Sequence, residues 1–82
     1  MKTNILNNEN KVLGSKITQL RLEKSWSQEE LAKKLQLYGL DISRATLSKI
    51  ELGTRQVYFV EIKYFAKAFE IDLVELIKYL ID

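Results

Sequence analysis

Between Ser27 and Arg55 the chain spells out two short helices, each with its own start and stop. Ser27-Gln28-Glu29-Glu30 is a capping box: the Ser27 hydroxyl accepts from the N–H of the third helical residue, and the Glu30 carboxylate reaches back to the N–H of Ser27. Acidic residues in this first turn also suit the positive end of the helix dipole. Gly39 is the expected stop, because glycine enters the left-handed conformation without penalty. Leu40-Asp41-Ile42 makes a turn with Ile42 tucked under the next helix, Ser43 is the second N-cap and Gly53 the second stop. Leu31, Ala32 and Leu35 form the buried face of the first helix, with Lys33 and Lys34 outside. Leu47 and Ile50 are the inward pair of the second, which leaves Arg44, Ala45, Ser48 and Lys49 on its outer side.

The flanking segments read as scaffold for this pair. Residues 1–10 are polar and rich in asparagine, with only Ile5 and Leu6 as anchors, so residues 1–11 are expected to form a loose arm with at most a turn of helix near its end. Leu13, Ile17 and Leu20 recur at helical spacing and predict a first helix from about Val12 to Lys24. Trp26 follows in the connecting turn, where its indole can cap the core. After Val57 the pattern is helical again. Ile62, Phe65, Ala66 and Phe69 share one face of a helix of about Phe59 to Phe69. Asp72 with Glu75 marks a fifth start, and Leu73, Leu76, Ile77 and Leu80 its apolar face. No segment alternates with period two, and there is no proline. The expected fold is all-α: a compact bundle of five short helices, with residues 12–82 as one domain.

Size and composition exclude much. A domain of 82 residues buries roughly 60–65% of the surface its unfolded chain exposes, so its stability should be small. Without cysteine or histidine, disulfides, Cys/His metal sites and histidine bases are ruled out, and neither a metal nor a cofactor is expected. No apolar run approaches the ~20 residues that span a bilayer, and the first eleven residues lack the apolar core of a signal peptide, so a cytoplasmic protein is the default. The net charge is only +2, but residues 1–56 carry ten Lys/Arg against six Asp/Glu, and residues 57–82 three against five. The basic half is the one that holds the two capped helices. Such a half can approach phosphates, although ordinary charge scatter on a small protein would look the same.

A helix pair with a small residue where the two cross, followed by two aliphatics three apart, describes a helix-turn-helix. Ala32 allows the close crossing. Leu47 and Ile50 hold the second helix down while its N-terminal half projects, in a form that fits the ~12 Å major groove of DNA. Ile17–Arg21 (I-x-x-L-R), Ser27–Ala32 (S-Q-E-E-L-A) and Ser43–Gly53 (S-R-A-T-L-S-K-I-E-x-G) together resemble the phage-repressor-like helix-turn-helix family of Cro/cI (XRE) type, with the lambda-repressor-like fold. The resemblance covers roughly residues 12–80. It implies that Arg44, Ala45 and Lys49 face base edges in the major groove, the cations toward guanine and the alanine methyl toward thymine. It further implies that Gln28 contacts a backbone phosphate, that Thr46 and Ser48 reach phosphate or bridging water, and that Thr54, Arg55 and Gln56 clamp the backbone. Arg21 and Glu51 match a family ion pair; the bland alternative is two solvated charges.

The chain departs from that pattern twice. The segment between Ala32 and Leu47 is about five residues longer than the usual spacing, so Gln36–Asp41 is expected to extend the second helix by a turn and lengthen the linker, which could tilt the third. Tyr58 and Phe59 stand where the family often has a small polar N-cap; they read either as local packing or as an exposed patch for the DNA backbone or a second subunit. The resulting expectation is a sequence-specific, double-stranded-DNA-binding transcriptional regulator, with repression favoured over activation. One such domain reads few base pairs, so a homodimer on a palindromic operator follows, with half-sites about 10 bp apart. Its regulation is expected to rest on concentration and oligomerisation, with no small-molecule ligand and no membrane. The subunit surface is expected on the fifth helix, including Tyr79 and Ile81, with a Tyr58–Phe59–Tyr64 cluster as the alternative. A protein-interaction module such as an antitoxin or adaptor could use the same fold. An enzyme is a poor third, because the chain is too small and too helical to build a convincing two-carboxylate cleft.

Overall fold

Four helices end in the same way, and this sets the shape of the molecule. The computed structural model describes the backbone over residues 2–81 and the side chains over residues 10–79. Its elements are α1 (Lys2–Glu23), α2 (Gln28–Tyr38), α3 (Arg44–Leu52), α4 (Phe59–Phe69) and α5 (Leu73–Ile81), with no strand among the described residues. At the ends of α1 to α4 one residue is left-handed: Ser25 (φ 61°), Gly39 (φ 111°), Gly53 (φ 81°) and Glu70 (φ 59°). Each allows two closing bonds of the Schellman type. They run from Trp26 N–H to Arg21 C=O and Ser25 to Leu22, Leu40 to Leu35 and Gly39 to Gln36, Thr54 to Lys49 and Gly53 to Ile50, and Ile71 to Ala66 and Glu70 to Lys67, all at 2.8–3.2 Å. The chain therefore reverses sharply after each of α1 to α4 without proline.

Starts are as definite as stops. At α2 the Ser27 hydroxyl accepts from Glu30 N–H at 3.1 Å and the Glu30 carboxylate accepts from Ser27 N–H at 2.7 Å. At α3 the Ser43 hydroxyl accepts from Thr46 N–H at 3.1 Å. At α4 Tyr58 stands at the cap without a side-chain cap bond, and the Glu61 carboxylate accepts from its N–H at 2.9 Å. Tyr58 and Phe59 themselves stay exposed, and Tyr64, three to four residues after Val60 and Glu61, packs half-buried against the core. Phe59 and Tyr64, five residues apart, lie on different sides of α4.

The core joins Leu13 and Ile17 of α1, Leu31, Ala32 and Leu35 of α2, Leu47 and Ile50 of α3, Ile62, Phe65, Ala66, Ala68 and Phe69 of α4, and Leu76 of α5, with Ile42 and Val57 from the links. Trp26 stacks on Phe69, centroids 6.0 Å apart, and so covers the end of α4. α1 packs on α3, α4 and α5, and α2 on α3 and α4, which wedges α3 between the N-terminal helices. Leu73, expected inward, is 37% exposed in the first turn of α5. The side chains of Leu80 and Ile81 lie outside the described residues, as do those of Ile5 and Leu6.

Two boundaries differ from expectation. α1 stops at Glu23 and starts at Lys2, so the segment expected as a loose arm is helical along its backbone. Once the buried Leu13–Ile17 turn nucleates the helix, propagation outward costs little where no proline or glycine intervenes. The lengthened Gln36–Asp41 segment divides in two. Gln36–Tyr38 form the last turn of α2, and the linker 39–43 is pinned where the Gln36 amide donates to Ile42 C=O at 2.8 Å.

Candidate nucleic-acid interface

α3 reaches solvent because its two buried residues are three apart and its remaining positions fall on the other side. Leu47 and Ile50 are buried, whereas Arg44, Ala45, Lys49 and Leu52 are exposed and Ser48 half-buried. Arg44, Ala45, Ser48, Lys49 and Leu52 form one continuous outer face of the helix. Among the described residues no hydrogen bond or ion pair engages the side chain of Arg44 or Lys49. The same face carries no carboxylate. Two cations and a methyl group are thus held out together on a capped helix.

The flanking residues divide by how far their donors are already used. Thr46 N–H donates to the Ser43 hydroxyl, which in turn donates to the Thr46 hydroxyl at 3.2 Å, so Thr46 serves the cap and keeps its own O–H. Thr54 donates to Lys49 C=O at 3.2 Å and Gln56 is exposed. Arg55, expected to clamp the DNA backbone, is gripped by its own chain. Its guanidinium donates to both oxygens of Glu61 at 2.6 and 3.0 Å, donates to Gln56 C=O at 2.7 Å, and lies 5.3 Å from the centre of the Tyr58 ring. Three of its five N–H donors are occupied. The bond to Glu61 outweighs desolvation and raises the Arg55 pKa. Burial pushes the Glu61 carboxyl up, but the hydrogen bonds from Arg55 and Tyr58 N–H together with the Arg55 charge hold it below the usual carboxylate range. This pair ties the loop after α3 to the first turn of α4.

Behind α3 lies the second pair. Arg21 Nε donates to Glu51 Oε2 at 2.7 Å and a terminal nitrogen donates to Oε1 at 3.0 Å, while the other terminal nitrogen donates to Trp26 C=O at 2.8 Å. Thr18 Oγ1 and Gln28 Nε2 each add a bond to Oε1 at 3.1 Å. Glu51, its side chain only 5% exposed, therefore gathers α1, the start of α2 and α3 on one carboxylate. Gln28 spends one amide hydrogen on Glu51 and retains a second, which leaves it able to donate outward from the N-terminus of α2.

Three contributors escaped sequence reasoning. A Cβ on Gly14 would lie 2.4 Å from Ile50 C=O and 2.7 Å from Glu51 C=O, so only glycine lets α1 touch the backbone of α3. Thr18 completes the Glu51 network, and Glu61 holds Arg55. A glycine inside an otherwise helical run was the available signal for the first; a glutamate three residues after the α4 cap was the signal for the last. Among the described residues no three acidic side chains group as a metal site, and no helix is long and apolar enough to cross a membrane.

A small α-bundle that presents one capped helix, cations outward, with a second capped helix crossing behind it is a helix-turn-helix DNA-binding domain. The chain belongs to the helix-turn-helix family, of XRE type: the family profile matches residues 17–76. It is similar to the restriction-modification controller protein C.AhdI from Aeromonas hydrophila, at 30% identity over 85% of this chain and 94% of that one, with a TM-score of 0.74. The clp gene regulator ClgR from C. glutamicum shares the fold at 19% identity, over 89% of this chain and 88% of that one, also with a TM-score of 0.74. Comparison with the curated proteins returns no significant match. The chain is accordingly a DNA-binding protein of the transcription-regulator class.

Proposed function

We propose that this protein is a sequence-specific repressor that binds a palindromic operator as a homodimer and reads the major groove with α3. The observation that carries the reading is the outer face of α3, where Arg44, Ala45 and Lys49 are exposed together and neither cation has a partner among the described residues. In this reading Arg44 and Lys49 take guanine O6/N7 and Ala45 a thymine methyl. Gln28, Thr46, Ser48, Thr54 and Gln56 fix register on phosphates and water, while Arg55 contributes a phosphate contact only through the N–H groups that Glu61 leaves free. The subunit surface lies on α5, where Val74 is 61% exposed and Tyr79 half-buried. Likeness to a restriction-modification controller supports a regulatory role, and a bound dimer would repress by covering DNA that another protein needs.

Selection of bound sequences from random duplex DNA tests this directly. A palindromic consensus is expected, and Arg44→Ala or Lys49→Ala should then cost about 1–3 kcal/mol on it and relax preference at one position. Equal losses on all sequences would make these phosphate contacts. No enrichment at all would favour an interaction module built on the same fold.

A further inference from the structure

Away from α3 the molecule carries a second basic surface. Tyr38, in the last turn of α2, and Lys63, Tyr64 and Lys67 on α4 line a cleft of about 260 Å³. No residue of α3 or of the loop 54–56 takes part in it. The Lys67 ammonium lies 5.6 Å from the Tyr38 ring centre and the Lys63 ammonium 5.3 Å from that of Tyr64. Among the described residues neither lysine meets a carboxylate. The reason lies in the folding of α4: its one acidic residue, Glu61, is turned inward onto Arg55, so the outer face is purely cationic. Residues 57–82 are acidic in sum, yet this face is not.

Two exposed aliphatics neighbour the cleft residues: Leu37, next to Tyr38 in the chain, is 86% exposed, and Val60, one turn before Tyr64 on the same side of α4, is 65% exposed. Folding explains neither. The cleft is smaller than the roughly 300–1,000 Å³ of small-molecule pockets but large enough for an apolar side chain. Two lysines over aromatic rings, flanked by exposed aliphatics, complement carboxylates spaced around an apolar anchor. A second copy of this face would set lysine against lysine and be repelled. We propose that the α2–α4 cleft is a docking surface for an acidic, apolar-anchored segment of another protein, which can engage the regulator while α3 is on DNA.

The test uses the full chain and a short synthetic peptide in which glutamates flank leucines, followed through the protein's amide chemical shifts. Shifts confined to Tyr38, Lys63, Tyr64, Lys67 and their neighbours are expected, with Lys63→Glu plus Lys67→Glu weakening binding at least about tenfold. Leu37→Ser, at a position too exposed to affect folding, should weaken it as well. A lysine-for-glutamate peptide should not bind, and affinity for duplex DNA should stay unchanged in Leu37→Ser, which leaves the net charge as it is. Absent or scattered shifts, or equal binding by the charge-reversed variant, would overturn the proposal. So would weaker DNA binding in Leu37→Ser, which would make the cleft part of the DNA interface, or an altered oligomeric state in either variant, which would make it a subunit contact.

Discussion

At the residue scale the position of α3 depends on a missing side chain and a shared carboxylate. Gly14 brings two helix backbones into contact, and the atoms that a Cβ would meet are carbonyl oxygens, which cannot swing aside. Alanine is the better helix former by about 1 kcal/mol, so Gly14→Ala would stabilise α1 if nothing opposed it. Overpacking against backbone outweighs that gain, and a net loss of about 2 kcal/mol is expected in denaturant unfolding; an unchanged or raised midpoint would show that α1 and α3 can separate freely. Glu61 provides a pH test. Its folded pKa lies below the ordinary value, so the stability it contributes is present above the usual carboxylate range and is lost as pH falls through the depressed folded value. Wild type should therefore lose stability more steeply than Glu61→Gln below roughly pH 4, in denaturation midpoints taken across the acid range. Parallel pH curves would remove the Arg55–Glu61 pair from the stability of this loop.

At the element scale the repeated helix ending is the feature most open to change. Gly39 and Gly53 fill the left-handed position with the residue suited to it, whereas Ser25 and Glu70 hold the same conformation with a Cβ. Left-handed backbone costs a non-glycine residue roughly 1–2 kcal/mol, part of which glycine returns through its freer unfolded chain. Ser25→Gly and Glu70→Gly should each raise stability by about 0.5–1 kcal/mol. A decrease would mean that the side chain, not the turn, matters there. The long spacing between Ala32 and Leu47 also resolves at this scale. The added residues became one more helical turn and a pinned linker, and that turn supplies Tyr38 to the α2–α4 cleft.

At the scale of the whole molecule the five helices share one core, so unfolding should be a single cooperative transition. If the proposed homodimer forms, folding and association are linked, and the thermal midpoint should rise with protein concentration. A midpoint independent of concentration over the range used for DNA binding would place dimer formation on the operator itself. Charge also behaves differently at this scale. The C-terminal segment is acidic by count, yet with Glu61 folded inward it offers a cationic face, because pairing decides which charges solvent meets.

The order and type of the helices, their caps at Ser27 and Ser43, and the outward set Arg44, Ala45 and Lys49 could all be read from the chain. Each follows from contacts a few residues long: a hydroxyl to the third N–H, a glycine at a stop, apolar residues at helical spacing. Contacts between distant residues could not be read this way. Gly14 against Ile50 and Glu51, Arg55 committed to Glu61, Thr18 and Gln28 meeting on Glu51, and Tyr38 beside Lys67 all join segments whose separation only packing closes. Local rules thus wrote α3 and its outward cations. Tertiary structure decided which cations remain free, since a charge is available to DNA only if no carboxylate from elsewhere in the fold has already claimed it.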